Sequence, residues 1–278
     1  TLAGAEVVFL GDSVTQAAFD PGTFLAASGR FETAYNASID GAGGRFLGPW
    51  ALEVVVPELH PEVVVIGLTS RSFNDNSLGI RTLMARYEES FGRHEMLGEV
   101  TVVDRIEHRL AEVSDIVGIR SLLRDPKQLS EQWGSQTSPL KALGPLGAEH
   151  FPPGRYSIER LAPKVRNRAL RDYSLGSIDV PALDSLIAAL QQMNIGVVLV
   201  DMPVVAADYV PLHPHGQRDV DAYEASLHAL AAARGVPLVD GAAVLADTSY
   251  FVDFYHLNTE GATLLTTSIV DAVEEAAG

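Results

Sequence analysis

The sequence predicts an α/β fold built on parallel strands joined by crossover helices. Three observations predict it. Val7-Val8-Phe9-Leu10 is an apolar run that ends at Gly11-Asp12-Ser13, the pattern of a buried strand closed by a tight turn. Val63-Val64-Val65-Ile66 is continuously apolar, as in a strand covered on both faces. Strand and helix patterns alternate before residue 76 and again after residue 178, which is the rhythm of βαβ units.

Glu6 to Leu10 is the first expected strand. A helix from Thr15 to Ser28 follows, interrupted by Asp20-Pro21-Gly22. Ala34 to Ser38 reads as the second strand and runs into the glycine-rich turn Ile39-Asp40-Gly41-Ala42-Gly43-Gly44. A helix is expected over Phe46 to Leu59, then the third strand over Glu62 to Leu68. Val180 to Met193 places Leu183, Leu186, Ile187 and Leu190 at helical spacing. Gly196 to Met202 is the fourth strand and Val236 to Val239 the fifth. The helix between them, Asp219 to Arg234, is closed by Gly235. A last helix, Thr259 to Ala276, is opened by Asn258 or Thr259 as its cap.

Residues 76–178 break this rhythm. Ser77 to Phe91 and Val103 to Val113 look helical, and Leu122 to Pro153 looks loop-like. The expectation is one domain over 1–278, with 76–178 as a helical and loop insertion capping it, since a structureless loop of that length is improbable in a compact domain. Its stretch Arg155 to Arg171 holds Arg155, Arg160, Lys164, Arg166, Arg168 and Arg171. That stretch reads either as an attractor for an anionic glycan or as a solvated helix face pairing with the chain's many acids.

The chain has 278 residues and a formal net charge of −16. Such a charge argues against nucleic acid and anionic membrane surfaces as partners. Cysteine is absent, which removes disulfides, thiolate nucleophiles and Cys-based zinc sites. No apolar run approaches the ~20 residues of a membrane span. The chain opens on Thr1-Leu2-Ala3, which leaves room for a removed signal or anchor. Absence of cysteine fits the cytosol or an exported protein and does not fix the compartment, with the cell envelope slightly favoured over the cytoplasm. His213-Pro214-His215 lacks a carboxylate at metal-ligand spacing. His94, His108 and His150 read as surface residues, and Trp50 and Trp133 as core packing in preference to a sugar site. Neither a cofactor nor a metal is expected.

Ser13 stands just past the first strand, where an α/β protein can place a nucleophile; Asp12 or Ser13 equally suits a helix cap. Asp253 lies three residues before His256. Its carboxylate can hold one ring nitrogen and leave the other free to take a hydroxyl proton. Gly41 follows the second strand, where a backbone N–H can approach a reacting oxygen closely. Asn74 follows the third, and its amide can donate. All four positions fall at the carboxyl ends of expected strands, a rim that open parallel sheets use for ligands.

Gly11-Asp12-Ser13, Asn36-Ala37-Ser38-Ile39-Asp40-Gly41 and Asp253-Phe254-Tyr255-His256-Leu257-Asn258 resemble, in order, the first, second and last sequence blocks of the SGNH (GDSL-type) hydrolases. The resemblance implies a three-layer α/β/α, flavodoxin-like sandwich with five parallel strands. It also implies ester hydrolysis or acyl transfer by Ser13, His256 and Asp253, with oxyanion donors at Ser13 and Gly41 and no metal. The third block departs from the family pattern. The strand runs into Gly67-Leu68-Thr69-Ser70-Arg71-Ser72-Phe73-Asn74-Asp75, so the Asn-Asp pair comes late and Arg71 occupies the slot of the family's Asn. Either Asn74 or Arg71 completes the oxyanion site. This block looks like a subgroup found with cell-envelope and polysaccharide O-acylation proteins. The function expected is hydrolysis of a short-chain, carbohydrate-linked ester. An O-acetyltransferase and a non-catalytic carbohydrate-binding relative are the alternatives.

Overall fold

The computed structural model describes residues 4–90, 93–94, 98–101, 143–154, 158–245 and 247–278. Contacts divide the chain into two units, Thr1–Leu83 with Leu143–Gly278, and Met84–Ala142. The flanks of the expected insertion, 76–83 and 143–178, therefore belong to the first unit. The expected helix at Val103 to Val113, His108, Trp133 and Arg155 lie outside the described residues.

The first unit holds five strands: β1 Val7–Leu10, β2 Ala34–Asn36, β3 Val63–Leu68, β4 Gly196–Asp201 and β5 Leu238–Asp240. They form one sheet in the order β2-β1-β3-β4-β5, all parallel. This is the flavodoxin-like order, whose switch point lies between the first and third strands. Val7 pairs with Val63, and Val63 with Gly196. β3 is buried along its whole length, which is why it reads as an unbroken apolar run.

Side chains alternate between the faces of a strand. Val7, Phe9, Val63, Val65, Val198 and Val200 share one core with Phe19, Phe24, Leu265, Ile269 and Val273. Phe9 stacks on Phe19 at 5.0 Å and meets Phe24 edge-on. Helices α1 (Ser13–Ala18), α2 (Pro21–Ala27), Thr259–Ser268 and Val270–Ala276 supply that side. On the opposite face, α3 (Gly44–Trp50) packs on the helix Asp179–Gln192, which packs in turn on Gln217–Arg234.

Capping chemistry explains several boundaries. Asp20 accepts from the Thr23 N–H with Pro21 at the first helical position, so the interruption seen in the sequence is a helix start. Gly235 ends its helix at φ +63°, a left-handed cap. Asn258 accepts from the N–H groups of Glu260 and Gly261. Two expected helices are subdivided. The run over Phe46 to Leu59 contains a π turn, Ala51–Val55, ahead of α4 (Val56–Leu59). The final helix breaks at Ile269. Between β4 and the helix Gln217–Arg234 lie the short helix Ala206–Tyr209 and the 3-10 turn Val210–Leu212. Among the described residues no helix is long and apolar enough to cross a membrane.

Candidate active site

β1 runs into Gly11, whose missing side chain lets this turn and β3 approach. A Cβ there would lie 2.1 Å from Thr15 Oγ1 and 2.7 Å from the Gly67 carbonyl oxygen. Asp12 then caps α1, its Oδ1 accepting from the Val14 N–H at 2.8 Å. Ser13 is the first helical residue. Asp12 is the cap, and Ser13 stands beside it at the carboxyl edge of the sheet.

The loop after β2 runs alongside β1. Ala37 N–H donates to the Phe9 carbonyl and Ile39 N–H to that of Gly11. Asn36 fastens the loop to α1, donating to the carbonyl of Phe19 at 2.8 Å while its Oδ1 accepts from the Ser38 N–H. Gly41 sits at φ +76° with open space around its Cβ position. Backbone conformation alone therefore demands glycine there. Among the described residues, the N–H groups of Ser13 and Gly41 take no backbone acceptor.

The loop before the last helix is closed by a bridge between Phe251 and Leu257 and anchored by Phe254 and Tyr255 in the core. Asp253 Oδ1 accepts from the N–H groups of Tyr255 and His256. Its Oδ2 lies 2.7 Å from His256 Nδ1. His256 Nε2 lies 3.0 Å from Ser13 Oγ. Burial raises the Asp253 carboxyl, but the His256 ring and the two backbone N–H groups outweigh it and hold it below the usual carboxylate range.

Arg71 lies on the single 3-10 turn Ser70–Phe73 that follows β3. Its Nε donates to Asp12 Oδ2 at 2.7 Å, and one terminal nitrogen lies 2.6 Å from the same oxygen. That terminal nitrogen also donates to Ser13 Oγ at 3.1 Å. The guanidinium stands over the Tyr255 ring, 4.7 Å from its centre. Burial opposes the cation, but the charge of Asp12, the rings of Tyr255 and Tyr209, and the hydrogen bond to Asp12 outweigh it, so Arg71 stays protonated.

Asn74 is placed elsewhere, which corrects the expectation of it as an oxyanion donor. Its side chain is fully buried, and both amide hydrogens are taken, by the carbonyls of Ala169 and Arg171 at 2.8 and 3.1 Å. Its Oδ1 accepts from Asn76 and Ser174. Asp75 likewise receives the N–H groups of Ser177, Ile178 and Asp179. The Asn-Asp pair staples the loop after β3 to residues 169–179.

Ser13, Asp253, His256, Gly41 and Arg71 thus gather at one edge of the sheet. The sequence reading missed two members of this cluster, Asp12 as the clamp on Arg71 and the Tyr255 ring. Both sit inside the quoted motifs, but only the fold shows that Arg71 lies between them. The two histidines of His213-Pro214-His215 diverge: His213 Nε2 lies 2.8 Å from Ser70 Oγ, and His215 Nδ1 lies 3.1 Å from Asp219 Oδ1. Trp50 donates to the Ala37 carbonyl and stacks on Phe46. Among the described residues no group of His, Cys, Asp or Glu could hold a metal ion.

A small cleft opens beside Gly41 and Arg71, lined also by Ala42, Ser77, Gly79, Ile80 and Ala169. Ile80 is 2% exposed and occupies the room left by Gly43, where a Cβ would lie 2.2 Å from Ile80 Cδ1.

No family model and no curated protein matches the chain. Solved structures resemble it over nearly its whole length. A GDSL-like lipase from Bacteroides thetaiotaomicron is 15% identical over 97% of this chain and 88% of its own, with a TM-score of 0.47. The lipase/acylhydrolase from Enterococcus faecalis is 16% identical over 98% and 96%, with a TM-score of 0.49. A catalytic mutant of an acetylxylan esterase from Geobacillus stearothermophilus is 12% identical over 98% and 96%, with a TM-score of 0.47.

Proposed function

We propose that this chain is a serine esterase of SGNH type that hydrolyses a short-chain O-acyl ester of a carbohydrate. The observation that carries the reading is the unbroken hydrogen-bonded series from Ser13 Oγ to His256 Nε2 and from His256 Nδ1 to Asp253.

With the Nδ1 proton held by Asp253, His256 Nε2 is free to accept the Ser13 proton as Oγ bonds to the ester carbon. Negative charge then develops on the carbonyl oxygen. The N–H groups of Ser13 and Gly41 and the guanidinium of Arg71 are the donors proposed to meet it. Collapse of the intermediate breaks the bond to the alcohol, which takes the proton from His256. Water, deprotonated by the same imidazole, adds to the acyl carbon and releases the acid with Ser13 restored.

The cleft supports a short acyl chain. Small and apolar side chains line it, Ala42, Ile80 and Ala169. The test is a panel of aryl esters from acetyl to octanoyl, together with acetylated sugars, run on the native protein and on Ser13→Ala. Turnover confined to the shortest chains, and lost in Ser13→Ala, is expected. Full activity in Ser13→Ala would overturn the mechanism. Product masses with sugar present distinguish water from a sugar hydroxyl as acceptor.

A further inference from the structure

We propose that the basic segment beside the cleft is a docking track for a polyanionic glycan, a chain of uronate-type sugars that carries the ester. Residues 158–172 hold five basic residues against two acids, Glu159 and Asp172, in a chain whose net charge is −16. The segment forms the helix Ile158–Lys164 and the π turn Val165–Ala169. Val165 and Leu170 anchor it in the core, while Lys164, Arg166, Arg168 and Arg171 are exposed.

Among the described residues, most of these cations do not serve the chain's own acids. Among the described residues, no carboxylate lies within ion-pair distance of Lys164, Arg166 or Arg168. Arg166 donates only to the Pro211 carbonyl, and Arg171 alone has an acid, its exposed neighbour Asp172. Four exposed cations, three of them without an acid in so acidic a chain, leave charge available for an outside anion.

The segment also borders the site. Ala169 lines the cleft that contains Arg71 and Gly41, and Asn74 fastens the carbonyls of Ala169 and Arg171 to the loop after β3. A polymer held by Arg168 and Arg171 is therefore held beside the cleft that Ala169 and Arg71 line. The chemistry favours a sugar acid over other anions. Residues 158–171 contain no aromatic side chain on which nucleic-acid bases stack. Among the described residues, none of the large exposed apolar side chains, Leu143, Ile178, Met193, Val244 and Leu264, lies in this segment to enter a bilayer.

The direction of the track, toward an ester at Ser13, rests on the esterase reading; the affinity does not, so the two are tested apart. Calorimetry with Ser13→Ala protein compares polygalacturonate, neutral dextran, single-stranded DNA and anionic phosphatidylglycerol vesicles at low and high salt. Polygalacturonate is expected to bind at least tenfold more tightly than dextran, DNA or vesicles, and to weaken with salt. The variant Lys164→Glu/Arg168→Glu, with folding verified by its melting curve, is expected to lose at least tenfold in affinity. Equal binding of dextran, equal or tighter binding of DNA or vesicles, or unchanged binding in the charge-reversed protein would overturn the proposal. A separate aryl acetate assay on the Ser13 protein reports on the esterase alone: binding without turnover removes the catalytic reading and leaves the track.

Discussion

A guanidinium 3.1 Å from a serine hydroxyl is a different donor from a carboxamide. Its charge is permanent and its donors form a rigid fork. Here the fork is held on one side by Asp12 and beneath by the Tyr255 ring, so the nitrogen facing Ser13 has a fixed direction. Arg71→Ala is expected to lower kcat on an aryl acetate by about 10²–10³, the range for loss of one oxyanion donor. Arg71→Lys should recover little of it, because an ammonium cannot span Asp12 and Ser13 together. Wild-type kcat in Arg71→Lys would remove Arg71 from the chemistry. Asp12→Asn keeps the cap to Val14 but leaves a buried cation without its counter-charge, at a cost of roughly 3–5 kcal/mol, read as a shift in denaturant midpoint. Ile80→Ala deepens the cleft, and its expected signature is a rise of butyryl over acetyl turnover. Asp253 and His256 were legible because their geometry is local: one carboxylate caps the loop and holds the ring three residues on. Where the Arg71 and Asn74 side chains point was not legible, because partners 59 and 95 residues away hold them.

The turn after β3 shows how an element divides labour between neighbouring residues. Its first half carries Arg71 toward Ser13, and its end carries Asn74 and Asp75 toward residues 169–179. Asn74→Ala removes the donor to the part-buried carbonyls of Ala169 and Arg171 and the acceptor for the Asn76 and Ser174 N–H groups, hydrogen bonds worth roughly 0.5–1.5 kcal/mol each. A fall in stability of about 2–4 kcal/mol is expected by chemical denaturation. The kcat of the folded variant on aryl acetate should stay within about threefold of native, since one oxyanion donor is worth 10²–10³. A 10²-fold loss of kcat would restore Asn74 to the oxyanion site. The strands were legible because a strand buried on both faces has a pattern that tertiary context does not alter. Residues 158–170 were less so. Their burial rests on isolated anchors, Val165 and Leu170, and a π turn has no sequence period of its own.

At the scale of the molecule, the parallel sheet brings the strand ends to one edge and concentrates charge there. Asp201 ends β4 beside Asp240 of β5 and accepts from the Tyr223 hydroxyl at 2.8 Å. Burial first, and then the nearby carboxylates of Glu224 and Asp240, outweigh that hydrogen bond and push the Asp201 carboxyl up to about 6 from 3.8. A raised carboxyl takes its proton more readily in the folded state than in the unfolded one. Its contribution to stability is therefore greatest below pH 3.8 and is lost as pH rises through about 6. Asp201→Asn keeps an oxygen for Tyr223 and removes the titration. At pH 8 the variant should be the more stable by roughly 3 kcal/mol, which for a chain of this size is a Tm gain of about 6–12 °C. At pH 4 the two proteins should melt within a few degrees of each other, because both then carry a neutral group. The other acids of this −16 chain titrate alike in both proteins and cancel in the difference. Paired melting curves between pH 4 and 8 measure it directly, and a Tm gap that does not widen with pH would show that Asp201 is not held protonated by its surroundings.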